Sequence, residues 1–257
     1  MTENSRSSSG DQVGTVNSAV DAASLGGEAH PHVHADVSGG WLRAAVFGAM
    51  DGLVTNISLI AGVGGGGLPP RQIVLTGVAG LAAGALSMAI GEYTSVQTQN
   101  EQLDHEIAKE RHELLHNAEA EEEELAEMWV ARGLSPALAV EVAAQLSKDP
   151  EQALRIHVQE ELGLDPDERP SPRVAAISSF ICFSIGALVP LLPYLFGFPV
   201  LWLALLAGGL GLFVAGAVVS RFTTRHWWSN GMRQLVLGVL AAGLTYLVGR
   251  AFGATLG

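Results

Sequence analysis

Five apolar stretches, each near the roughly 20 residues a helix needs to cross a bilayer, decide what this chain can fold into. They run from about Trp41 to Gly62, Ile73 to Val96, Val174 to Leu195, Pro199 to Phe222 and Leu235 to Phe252. Backbone N–H and C=O groups find no water inside hydrocarbon. Each stretch must therefore satisfy them internally, as a helix. Small residues recur within the stretches, as in GVAGLAAGA (77–85) and AGGLGLFVAGA (207–217), which suits helices that pack closely in lipid. Only 16% of the residues are charged, against about 25% in soluble domains. The expectation is an all-α membrane protein with the lipid bilayer as its solvent.

The charge is unevenly placed. Of 26 Asp and Glu in the chain, 19 fall between residues 97 and 172, alongside 6 Lys and Arg. That segment carries a net charge of -13, and the rest is near neutral. A basic surface for nucleic acid is absent. With the N-terminus in the cytoplasm, 12 Lys and Arg lie inside and only Arg71 and Arg250 outside. The excess of basic residues on cytoplasmic loops selects this orientation and makes the acidic segment cytoplasmic.

Four regions result: a disordered tail at 1–40, membrane helices 1 and 2 at 41–96, a cytoplasmic metal-binding helical domain at 97–172, and membrane helices 3 to 5 at 173–257. The tail is rich in Ser, Gly and Asp and lacks the basic start and apolar centre of a signal peptide. Its HPHVH stretch (His30, His32, His34) reads as solvated tail before it reads as a metal site. The single cysteine, Cys182, excludes an intrachain disulfide and reads as a small core residue.

The acidic segment is expected to form three helices. The first continues the second membrane helix without interruption from Met88 to Ala131. The second is capped by Ser135 with Pro136 in its first turn. The third is capped by Asp149 with Pro150 next, and stops at Gly163. GVGGGG (62–67) fits a nucleotide-binding spacing in form only; no strand precedes it, and a flexible turn on the outer side is expected.

Asp51 and Glu92 are the only acids within the five apolar stretches. A charge at bilayer depth costs at least about 2.5 kcal/mol, so such residues usually mark a pathway or a proton relay. The alternative for each is a hydrogen-bonded packing residue. Met88 precedes Glu92 by one helical turn and shares its face; a thioether beside a carboxylate suits a borderline transition metal. In the acidic segment, Glu110, Glu113, Glu121 and Glu124 advance by 3, 8 and 3, which places them on one helical stripe. His157 and Glu161 share a face of the third helix. Carboxylates plus one imidazole fit Fe²⁺, Mn²⁺, Co²⁺ or Zn²⁺; a merely solvated acidic face is the competing reading. His105, His112 and His116 lie on another face. Glu113 and His116 form one Glu-x-x-His pair, where di-iron bundles use two.

Three motifs together resemble the vacuolar iron transporter family: DGLVTNISLIAGV on the first span, AGALSMAIGEY on the second, and the acidic helix followed by HVQEELGLDP. The resemblance covers about residues 38–255. It implies a homodimer with five membrane helices per chain, not an enzyme. Such a protein would exchange Fe²⁺ or Mn²⁺ for protons and move metal out of the cytoplasm, here across a bacterial cell membrane. It assigns Asp51 and Met88 to the metal pathway, and Glu110, Glu113, Glu121, Glu124 and Glu161 to the cytoplasmic metal-binding domain.

Two positions depart from the family pattern. Gly80 stands where plant iron transporters of the family carry Glu, with Glu92 a possible substitute. His157 stands where they carry a metal-binding Met. Other classes of function would be a membrane-anchored ferroxidase or iron-storage module, using Glu113 and His116, or a metal sensor.

Overall fold

The computed structural model describes residues 40–163, 169–222 and 226–256. The tail with His30, His32 and His34, the LDPDE stretch (164–168) and Arg225 lie outside them. The chain forms α1 (Trp41–Gly65), α2 (Pro70–His116), α3 (Ala118–Ala131), α4 (Pro136–Leu146) and α5 (Pro150–Leu162). These are followed by α6 (Pro172–Leu188), α7 (Leu192–Leu195), α8 (Leu201–Val219) and α9 (Trp227–Leu256). Five helical spans are long and apolar enough to cross a membrane: α1, α2, α6 with α7, α8, and α9. No strand occurs among the described residues.

Proline marks several helix starts. Pro136, Pro150 and Pro172 each open a helix, where the missing N–H costs nothing. The Asp149 carboxylate accepts from the backbone N–H groups of Glu151 and Gln152. Ser135 occupies the cap position of α4 without making a side-chain cap bond.

Four boundaries differ from the sequence expectation. The helix expected to run unbroken from Met88 to Ala131 divides at Asn117, whose φ of -130° and ψ of 34° are not helical. The acidic segment therefore contains the end of α2 and three further helices. The third span breaks at Val189–Leu191, a 3₁₀ turn around Pro190, because proline lacks an N–H and clashes with the preceding turn. The fifth helix starts at Trp227, eight residues before the expected Leu235, since its first two turns, WWSNGMRQ, mix polar with apolar residues and fall outside the continuous apolar run.

The fourth difference concerns GVGGGG. Gly62, Gly64 and Gly65 belong to the last turns of α1, and only Gly67, with φ of 78°, takes a left-handed turn conformation. Gly62 and Gly66 lie against Gly249 and Gly253 of α9 so closely that a Cβ on either α9 glycine would overlap the carbonyl oxygen of the glycine facing it. These glycines are a contact surface between helices, as small residues are in membranes.

α1 is the central helix of the bundle and packs on α2, α6, α8 and α9. Gly48 and Gly52 bring its backbone against that of α6 at Ser179 and Phe183, and Gly186 returns the contact at Ala49. Asn56, also buried, donates its side-chain amide to the Ala187 carbonyl at 2.5 Å. Beyond the apolar part of α2, Leu125 and Ala126 of α3 pack on Ala139 and Ala143 of α4. Leu103 on the α2 extension packs on Leu154 and Val158 of α5. Asp104 and Arg169 pair at 2.5 Å, and Arg111 pairs with Glu151 at 2.6 Å. The extension of α2 is thus the strut on which α5 is mounted.

Candidate metal centre and membrane cleft

α5 lies against α2 because Leu154 and Val158 are one turn apart on its apolar face. That docking carries His157, between them, fully into the interior. Its Nδ1 donates to Glu161 Oε1 at 3.2 Å. The same nitrogen lies 3.2 Å from Glu110 Oε1 and 3.6 Å from Glu121 Oε2. One donor atom from each of Glu110, Glu121, His157 and Glu161 falls within 4.8 Å of all the others. Four donors placed tetrahedrally around an ion with bonds of about 2.1 Å stand about 3.4 Å apart, so the four would draw together to hold a cation.

The electrostatics fit a bound cation. Burial raises the Glu110 carboxyl from 4.5 to about 7, and the neighbouring Glu161 and Glu121 carboxylates push it the same way. Glu121 is raised too, chiefly by burial, while His157 pulls it back. Glu110 Oε1 and His157 Nε2 are buried with no hydrogen-bond partner among the described residues. A divalent ion would neutralise the crowded carboxylates and use the vacant oxygen lone pairs. Three oxygens and an imidazole suit a first-row transition ion.

The stripe expected from sequence is only partly assembled here. Glu110, Glu121, His157 and Glu161 converge. Glu124 is exposed, though close enough for its charge to raise Glu110. Glu113 is turned to the Asn117 side chain, whose amide donates to its Oε2 at 2.6 Å. The break at Asn117 separates Glu110 and Glu113 from Glu121 and Glu124, so the four do not share one continuous helix. His116 donates through Nδ1 to the His112 carbonyl at 2.7 Å. Glu113 and His116 are therefore both engaged locally, and His105 is exposed.

Within the apolar bundle, Asp51 lies on the α2 side of α1, in a cleft that is open at the surface of the chain. Asp51, Met88 and Glu92 line one cleft of about 330 Å³ together with Thr55 and Ser87. Asp51 Oδ1 accepts from Thr55 Oγ1 at 3.4 Å. Phe183 walls the cleft beside Gly84, where a Cβ would collide with its ring, whereas Gly91 has open space in front of it. Met88 packs on Ala85 and Phe183. Glu92 is buried and bonded to Arg43 Nη2 at 2.8 Å. Sequence reading missed Thr55, Ser87 and Arg43. Thr55 had a signal in its four-residue spacing from Asp51; Arg43 is 49 positions from Glu92 and had none. At Gly80, the Leu59 side chain fills the space a larger residue would need.

The sequence is similar to those of known proteins over most of its length. The sequence pattern of the VIT family matches residues 42–250. The chain is 39% identical over 215 residues to a vacuolar iron transporter of Acanthamoeba castellanii, covering 82% of this chain and 78% of that protein. It is 31% identical to vacuolar iron transporter 1 of Tulipa gesneriana, over 82% and 86% of the two chains. Vacuolar iron transporter 1 of Oryza sativa subsp. japonica is 30% identical over 90% of this chain and 92% of its own. Five membrane-length helices and near full-length likeness to these proteins lead to one conclusion: the chain is an integral membrane protein and belongs to the VIT family.

Proposed function

We propose that this protein transports a divalent transition metal, Fe²⁺ or Mn²⁺, across a membrane in exchange for protons. The observation that carries the reading is the pairing of two metal-compatible sites on one helix. α2 supplies Glu110 to the carboxylate–imidazole cluster and Met88 and Glu92 to the membrane cleft. The relatives named above as iron transporters support iron as cargo. The cluster gathers metal on the cytoplasmic side. The ion then reaches Asp51 and Met88, where a carboxylate that can hold either a proton or a metal ion couples the two flows. The cleft opens past Gly91, which suits a second copy of the chain completing it in a homodimer.

The test is flux in proteoliposomes. Purified protein should carry Fe²⁺ or Mn²⁺ when driven by an imposed pH gradient, with Co²⁺ and Zn²⁺ run in parallel to rank the ions. Asp51→Ala should abolish that flux while leaving metal binding by the Glu110 cluster intact. Undiminished flux in this variant would remove Asp51 from the pathway. Oxygen consumption with Fe²⁺ and no flux would favour a ferroxidase instead.

A further inference from the structure

The transport scheme above, on which the following rests, gives Arg43 no part. Glu92 is 7% exposed, and its Oε2 accepts from Arg43 Nη2 at 2.8 Å, while the Arg43 side chain is 60% exposed. Arg43, Phe47, Asp51 and Thr55 recur every four residues along α1, one face of the helix. The last three line the cleft, as do Gly84, Met88 and Glu92 at the same spacing on α2. At 1.5 Å per residue, Arg43 stands about 12 Å before Asp51 along α1. Glu92 stands about 6 Å beyond Met88 on α2, toward the acidic helices. The pair occupies the end of the cleft that an ion leaving the Glu110 cluster meets first.

We infer that Arg43 is a tethered counter-cation for the pathway. It holds Glu92 while no metal is present, gives Glu92 up to an entering divalent ion, and reclaims it as the ion moves on. Three observations combine in this. A buried carboxylate stripped of its partner is strongly unfavourable, so Glu92 releases Arg43 only when another cation replaces it. Arginine stays protonated at any physiological pH, so this competitor is always charged. Its side chain is 60% exposed, so it can swing away with little disturbance of this chain's packing. In formal charge, Asp51 and Glu92 contribute two negatives and Arg43 one positive. Without Arg43 the cleft holds a divalent ion against two uncompensated carboxylates, and the ion should enter more tightly and leave more slowly. Arg43 is a positioning residue that acts through Glu92 and tunes how tightly the ion is held.

The experiment is Mn²⁺ flux in proteoliposomes of the full chain, fitted for KM and kcat. Arg43→Gln should lower KM threefold or more and lower kcat by a similar factor. Glu92→Gln should raise KM. The double variant, which restores the net charge of the cleft, should return kcat to within about threefold of wild type. A structural ion pair would instead lower kcat or yield in every variant, with KM unmoved and no recovery in the double; that pattern overturns the inference, as does an R43Q protein with wild-type KM and kcat. If R43Q does not fold, the other two variants decide: the inference fails if E92Q leaves KM unchanged or the double variant loses kcat by more than tenfold. A wild-type protein that carries no Mn²⁺ above empty vesicles overturns the transport reading and this inference together, whereas a transporting wild type with an unmoved KM in the variants overturns this inference alone.

Discussion

His157 Nδ1 on α5 lies 3.2 Å from Glu110 Oε1 on the extension of α2, across a helix interface sealed by Leu103, Leu154 and Val158. The imidazole is fully buried, so the protein has placed a nitrogen donor among carboxylates where neither water nor a flexible side chain can substitute for it. His157→Ala should weaken Mn²⁺ binding at the cluster by tenfold or more in calorimetric titration of the purified protein. His157→Met keeps a donor but exchanges a borderline nitrogen for a soft sulfur. Anaerobic titrations should then show Fe²⁺ favoured over Mn²⁺ more strongly than in the wild type. Wild-type binding by the alanine variant would remove His157 from the site.

The raised carboxyl of Glu110 gives the cluster a pH dependence with a definite sign. Burial and the adjacent carboxylates bring it to about 7, so below that pH Glu110 is largely protonated, and a metal ion must displace the proton. Affinity should fall as pH drops from 7 toward 5.5, approaching tenfold per pH unit for one displaced proton, and level off above 7 as far as this group is concerned. The metal-free fold responds in the opposite sense. A carboxyl raised from 4.5 favours the folded state less as pH climbs from about 4.5 to 7. Metal titrations at four pH values check the first statement, and thermal unfolding in a chelating buffer checks the second.

Met88 is half-buried against Ala85 and Phe183 while it lines the Asp51 cleft. Packing and metal contact can be separated by Met88→Leu, which keeps volume at a cost usually below about 1.5 kcal/mol and removes the sulfur. The leucine variant should unfold within a few degrees of wild type yet carry metal at a tenth of the rate or less. Normal flux would assign Met88 to packing alone.

The sequence was informative wherever one physical term dominated. Hydropathy located all five spans, because nothing else competes with burying about 20 apolar residues in lipid. Proline at 136 and 150 marked two helix starts for a local steric reason. His157 and Glu161 were found by spacing, since residues four apart on a helix must meet. Two further features depended on contacts distant in sequence and were not legible. Arg43 and Glu92 are 49 positions apart, and the glycines at 62–66 looked like slack until α9 was laid against them. The break at Asn117 was hidden for another reason. It sits between strong helix formers, and only an asparagine followed by acids in the next turn (Glu119, Glu121) hinted at a new start. The convergence of Glu110 and Glu121 follows from a turn that local propensity did not announce.

The α1–α6 contact offers the sharpest test of the bundle itself. A Cβ at position 52 would overlap the Phe183 carbonyl oxygen and crowd the backbone nitrogen of Ala187. Backbone cannot rotate aside as a side chain can, so Gly52→Ala must push α1 away from α6 and loosen the nearby Asn56 bond to Ala187. Overpacking of this kind costs about 1–3 kcal/mol. For a chain of this size that is a fall of roughly 2–12 °C in Tm, at about 2–4 °C per kcal/mol. Gly243 on α9 has nothing within 4 Å of its missing Cβ. There, alanine should be neutral or slightly stabilising, because glycine is the poorer helix former by up to about 1 kcal/mol. Thermal unfolding of the two variants in the same detergent makes the comparison. If G52A melts no lower than G243A, α1 and α6 are not in backbone contact, and the cleft that Phe183 walls would have to be rebuilt.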